Sequence, residues 1–189
     1  MELPLNLLGN AISSVFTQKA IEVYNEDSSR LAKLCLDMFN KLFYLGLLPF
    51  GIITVFGDWI FKFAFGARWE TAGMFTAYLG YYYVFKLASY ATGPTYGVLQ
   101  QQRLLLTGTV LLLIVRAASL FIGIHLHDLN LGMLLFGISS IIVTFGVDMN
   151  ILHILKLNVW PIAARCIALM AATLGILWGL RLLIERIVN

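Results

Sequence analysis

The sequence predicts an all-α fold, a multi-pass transmembrane helical bundle of about five or six spans, on three observations. Four stretches, Ala72–Leu99, Leu104–Ile124, Leu131–Leu155 and Val159–Leu180, are long enough to cross a hydrocarbon core, which takes roughly 20 apolar residues as helix. Each contains a single Lys, Arg or Asp. In water, a helix that is apolar all round must be buried on every side, and 189 residues cannot hide four of them. Composition agrees: 60% of residues are hydrophobic and 12% charged, and mean hydropathy is +0.85. Lipid is therefore the expected solvent. The net charge of +3 is spread over scattered Lys and Arg residues, which excludes a nucleic-acid footprint. Cys35 and Cys166 lie in or beside apolar segments and read as small buried hydrophobes, not as a disulfide framework.

Residues 1–20 read as a partial first helix. Asn6, Asn10, Ser13 and Ser14 interrupt its apolar residues, so it is either the end of a longer helix or a helix lining a polar cavity. Met1-Glu2-Leu3-Pro4 lacks the positive leader of a cleavable signal peptide. Residues 21–37 read as a cytoplasmic amphipathic loop that holds an amphipathic helix at the interface, feeding into a span. Gln18–Lys41 carries four basic and four acidic residues. Ser28-Ser29 after Asp27 offers a helix cap, and Leu31, Leu34, Met38 and Leu42 share one helical face.

Five spans are expected within residues 38–184, making residues 1–189 a single transmembrane domain. The first, Met38–Phe56, contains Pro49 between Gly46 and Gly51 and is expected to kink there. Gly57–Thr71 is expected as a loop whose Trp59, Phe61, Phe63, Phe65 and Trp69 suit headgroup level. The later connections are short: Gln100–Arg103, His125–Asn130 and Lys156–Asn158. Gly93-x-x-x-Gly97 and Gly175-x-x-x-Gly179 have the spacing that lets helices approach closely. With Gln18–Lys41 in the cytoplasm, that side holds six Lys and Arg residues against four opposite, and His125–Asn130, which has neither, falls outside.

Phe65-Gly66-Ala67-Arg68-Trp69-Glu70-Thr71-Ala72 is a Phe-Gly-x-x-Trp-x-x-Ala run entering a long span. It resembles the polysaccharide (O-antigen and capsule) flippases of the multidrug/oligosaccharidyl-lipid/polysaccharide exporter superfamily. Leu3-Pro4-Leu5, Asn10-Ala11-Ile12 and Val15-Phe16 resemble the end of a family helix entering its cytoplasmic loop, although Thr17 stands where the family often has proline. The order of elements is also similar. The family has about 12 to 14 spans in two lobes, so the chain is expected to match only a C-terminal half, truncated or one part of a split transporter. The resemblance implies alternating access in the cell inner (plasma) membrane, gradient-driven, with a lipid-linked sugar diphosphate and the lipid bilayer as partners. It also implies a partner lobe or self-association. No enzyme activity and no cofactor are implied.

Lys86 and Arg116 are the candidate substrate-binding cations. Each lies 12 or 13 residues from the cytoplasmic end of its span, or roughly 18–20 Å at 1.5 Å per residue. Two cations at one depth repel unless an anion or water accompanies them, and a diphosphate fits. The alternatives are that they face different neighbours or snorkel. Tyr83 and Tyr90, two turns apart, are candidate sugar contacts, with plain packing as the alternative. Asp148 is the one carboxylate within a predicted span. It is expected either in a structural ion pair with Arg116 or Arg165, or in proton or sodium coupling. His125-x-His127-Asp128 diverges on a helix and reads as a surface loop, so no metal site is expected, and no catalytic motif is present. Three other readings stand beside the flippase. They are a small-molecule or drug exporter of the same superfamily, a membrane-embedded transferase, for which the loops are too small, and a non-functional membrane fragment.

Overall fold

The computed structural model describes residues 2–188, with side-chain environments over 5–187. Of the helix expected over 1–20, Met1 lies outside the described residues, as do the side chains of Leu3 and Pro4. The fold is an all-α bundle of six helices, with no strand among the described residues. They are α1 (Glu2–Glu26), α2 (Ser28–Phe65), α3 (Glu70–Val98), α4 (Gln102–His125), α5 (Leu129–Ile154) and α6 (Val159–Val188). Four of these, α2, α4, α5 and α6, are long and apolar enough to cross a membrane.

The amphipathic helix expected within Gln18–Lys41, feeding into a span, forms, and the loop expected over Gly57–Thr71 does not. Residues 21–37 complete α1 and open α2, with Asp27 alone between them. The cap is Asp27 itself and not the expected Ser28-Ser29, which begin the helix: Asp27 Oδ1 accepts from the Ser29 amide at 2.9 Å and the Ser29 hydroxyl at 2.7 Å. These two bonds hold the exposed Asp27 carboxyl below the usual carboxylate range. Gly57–Thr71 is also largely helical. The chain turns only at Gly66, whose φ of 91° suits glycine, and then makes one 3₁₀ turn, Ala67–Trp69. An Lys62–Glu70 ion pair at 3.0 Å bridges this corner. The helix continues through Pro49, as membrane helices do when neighbours re-satisfy the freed carbonyl.

The remaining three connections share one device. At each, the αL residue (Gln100, His127 or Lys156) bonds back three residues and the next amide bonds back five. Gln101 N–H reaches the Tyr96 carbonyl at 2.7 Å, Asp128 N–H that of Gly123 at 2.9 Å, and Leu157 N–H that of Leu152 at 3.1 Å. This Schellman closure satisfies the last carbonyls of each helix and permits turns of three residues, or four before α6.

α3 is the central helix, packed by α1, α2, α4 and α5, while α6 lies mainly on α2. Tyr81 to Phe85 are all buried, so α3 meets protein around its whole circumference. This explains why α3, expected among the four most lipid-like stretches, is not one of them: its tyrosines and threonines need no lipid face. On α2 the buried stripe is Leu31, Cys35, Phe39 and Leu42. Leu34 and Met38, expected in that stripe, pack beside it half-buried.

Close approach occurs at other glycines than the two expected motifs. A Cβ at Gly57 would come within 2.8 Å of the Gly73 carbonyl oxygen, where α2 meets α3. A Cβ at Gly123 would come within 2.6 Å of Gly132 Cα, where α4 meets α5. Around Gly93, Gly97, Gly175 and Gly179 a Cβ would meet nothing within 4 Å. Spacing alone did not distinguish a contact from open space, because contact depends on which way the helix is rotated.

Candidate functional site

The site is built on one face of α3. Tyr82, Lys86, Ser89, Tyr90 and Gly93 recur at three and four residues, which stacks them on one side of a helix. That side lines a cleft of about 290 Å³, with Asn6 from α1, Leu105, Gly108, Thr109 and Leu112 from α4, and Val143, Thr144, Val147 and Asp148 from α5. Lys86 is half-buried there. The Tyr90 hydroxyl donates to Asn6 Oδ1 at 2.9 Å and ties α1 to the cleft wall. Asn6 thus meets the expectation that α1 lines a polar cavity.

Asp148 closes the back of the cleft and is wholly buried. The ion pair expected with Arg116 or Arg165 does not form. Asp148 instead accepts from Thr92 Oγ1 at 2.5 Å and from Ser89 Oγ at 2.9 and 3.0 Å. Arg165 is turned to the α2–α6 joint, where it donates to Asn40 Oδ1 and lies 6.0 Å from the Tyr44 ring centroid. Arg116 donates to Ser140 Oγ at 2.9 Å and sits between the rings of Tyr82 and Phe136, 4.6 and 4.8 Å from their centroids. Such a sandwich stabilises a half-buried guanidinium without a carboxylate.

Of the four candidate substrate residues, Lys86 and Tyr90 line the cleft together. Arg116 does not line it; it touches the cleft only through Tyr82, one turn from Lys86. Tyr83 is turned to α2, its ring stacked 5.7 Å from Phe50, and is absent from the lining. Residues 82 and 83 differ by 100° around a helix, enough to move a side chain from cleft to core. The missed residues are Tyr82, Ser89 and Thr92. Helical periodicity counted from Lys86 finds Tyr82 and Ser89 at i−4 and i+3.

Toward the α3–α4 turn, a surface groove of about 370 Å³ shares Gly108, Val143 and Val147 with the cleft and is lined also by Tyr96 and Asn150. The Tyr96 hydroxyl donates to the Val147 carbonyl at 2.8 Å and lies 3.2 Å from Asn150 Oδ1. Among the described residues no cluster of His, Cys, Asp or Glu is arranged to hold a metal ion. The chemistry on offer is recognition: one ammonium, tyrosine and serine hydroxyls, a side-chain amide, and a sequestered carboxyl behind them. No family model, no curated protein and no solved structure matches the chain.

Proposed function

We propose that this chain is one lobe of a transporter for a lipid-linked sugar diphosphate, a polysaccharide flippase acting in the inner (plasma) membrane. The observation that supports this reading is Lys86 in a cleft among apolar helices, beside Tyr82, Tyr90 and Asn6. An ammonium in such a place favours an anionic group, and tyrosine faces suit sugar rings. Arg116, one turn away, adds positive potential without touching the ligand. A half-transporter leaves one side of the cavity to be supplied by another lobe. Exposed Asn10 and Ser14 on α1, which also carries Asn6, are polar groups for such a partner to cover. The proposed orientation places Ser28 and Gln101 in the cytoplasm and Asp128 outside.

The direct test is binding of a polyprenyl-diphosphate sugar to the purified chain in nanodiscs. Lys86→Gln is expected to weaken binding about tenfold, equivalent to ~1.4 kcal/mol, while Arg186→Gln leaves it unchanged. Equal binding by Lys86→Gln and the parent chain overturns the reading. Asp148 at the back of the same cleft favours a second reading, export of a small organic cation. There Asp148→Asn abolishes ligand binding and Lys86→Gln does not.

A further inference from the structure

Asp148 combines three features that a structural ion pair does not have. It has no exposed surface. It borders a cleft that also holds a cationic side chain. Its hydrogen-bond partners are two neutral hydroxyls, Ser89 and Thr92. An ionised carboxylate sequestered from water is costly unless a charge of opposite sign bonds it, and a hydroxyl supplies only a dipole.

The proton count points the same way. Ser89 Oγ lies within hydrogen-bond distance of three acceptors, the Phe85 carbonyl at 2.9 Å and the two Asp148 oxygens at 2.9 and 3.0 Å, yet carries a single proton. With Asp148 ionised, two of these three short contacts have no hydrogen of their own. With Asp148 protonated on Oδ2, a second hydrogen enters the cluster and only the Ser89 Oγ contact with Asp148 Oδ1, an oxygen that accepts from Thr92 instead, is left without one. The carboxyl O–H donates to Ser89 Oγ, the Ser89 O–H donates to the Phe85 carbonyl, and the Thr92 O–H donates to Asp148 Oδ1.

We infer that Asp148 is a proton-binding site, held as a neutral carboxylic acid, whose proton occupancy is linked to an anion in the cleft. The ionisable groups around it are Lys86, Tyr82, Tyr90 and Tyr96 from α3, Cys35 from α2 and Cys166 from α6; Arg165, next to Cys166, is turned away to Asn40. The linkage rests on the proposed anionic ligand. An anion at Lys86 binds more tightly when Asp148 is neutral, and by reciprocity holds the proton in place. Loss of the proton through Ser89 to water in the cleft places a negative charge beside the anion and favours its release.

The site itself is tested without ligand. Infrared difference spectra of the chain in nanodiscs, stepped in pH, are compared with those of Asp148→Asn. The amide reproduces the neutral acid's donor and acceptor, so this variant keeps the network. A protonated-carboxyl stretch present at neutral pH and missing in Asp148→Asn is the expected result. Absence of that band, or its appearance only when sodium is withdrawn, overturns the proton site. If Asp148→Asn does not fold, Ser89→Ala serves instead: losing the acceptor must shift the band, and an unmoved band overturns the assignment. The linkage is tested separately with a polyprenyl diphosphate as probe. Affinity should fall about tenfold per pH unit above the Asp148 titration, with Asp148→Asn flat across the range. A parent chain that binds the probe with no pH dependence overturns the linkage. Failure of the probe to bind at all overturns the linkage and the proposed ligand, while the ligand-free spectra still decide the proton site.

Discussion

Arg181 and Asp148 are both charged residues on apolar helices, and the fold treats them in opposite ways. At the α2–α6 joint, Arg181 forms a fork with Asp58 at 2.7 and 3.1 Å, bonds Glu185 at 3.1 Å, donates to the Val55 carbonyl, and lies over the rings of Trp59 and Trp178. Every donor direction of the guanidinium that matters for packing is met by an opposite charge, a carbonyl or an aromatic face. Asp148 is met by two hydroxyls only. The first arrangement fixes a charge permanently and ties two helices together. The second leaves a group able to change its charge without losing its partners. A charged residue in a membrane helix is thus read by the kind of partner it keeps, more than by its depth.

The largest effect that sharpens this comparison is expected at Arg181. Arg181→Ala strands a half-buried Asp58 and should destabilise the fold by about 3 kcal/mol. Arg181→Lys should recover less than half of that, because an ammonium cannot fork. Unfolding in detergent micelles measures both, and loss of less than about 1 kcal/mol for the alanine variant would show that the joint is held by apolar packing instead.

Two glycines extend the contrast. Gly73 lies where α3 meets α2, against the residue that Arg181 holds, and a Cβ there would come within 2.9 Å of Asp58 Cα and 2.8 Å of Phe61 Cβ. Gly73→Ala should cost about 2 kcal/mol by overpacking. Gly93 lines the cleft, with nothing within 4 Å of a Cβ. Gly93→Ala should be neutral, or stabilising by up to about 1 kcal/mol through helix propensity. Equal losses at both positions would contradict the rotation of α3 described above.

At Asp148 itself the expected effect is small. Asp148→Asn keeps one donor and one acceptor and should change stability by less than about 1 kcal/mol, measured in the same unfolding series. A loss as large as that of Arg181→Ala would mean that the carboxylate is required ionised. The smallest effect is at Asp27, outside the apolar helices. Its carboxyl is held below the ordinary range, so its capping contribution is present above that range. The contribution is lost as pH falls through the lowered value and the group protonates. Amide exchange at the start of α2 should quicken in acid, and Asp27→Asn, which still caps, should remove most of that pH dependence.

Much of the fold was legible because length and apolarity set how many helices there are and where each one ends. The predicted spans Leu104–Ile124 and Leu131–Leu155 coincide with α4 and α5 to within two residues at each end. The amphipathic helix within Gln18–Lys41 was legible from its cap and its apolar stripe, and the one misread loop has a plain cause. Aromatic Gly57–Thr71 has a composition that suits exposure at headgroup level, but the helix runs on through it to Gly66. Exposure and helicity are separate properties, and the hydrogen bonds of a helix survive outside the apolar slab.

The candidate site was half legible for a related reason. Lys86, Arg116 and Asp148 stand out because an ionisable group in an apolar helix is expensive wherever it points. Their depths follow from 1.5 Å per residue and need no tertiary information. Tyr83 was chosen over Tyr82, and Arg165 over Ser89 and Thr92, because these choices require the rotation of each helix about its own axis. On helices apolar all round, sequence carries little trace of that rotation. By itself the sequence determined that this is a helical protein with membrane-length apolar spans, how long they are, and how far along each helix the charges lie. Only tertiary structure decided which charges share a cleft and which are paired away. Rotation is set by side-chain packing against neighbouring helices, the glycine contacts of α2 with α3 and of α4 with α5 among them, and that packing is a property of pairs of segments, not of any one of them.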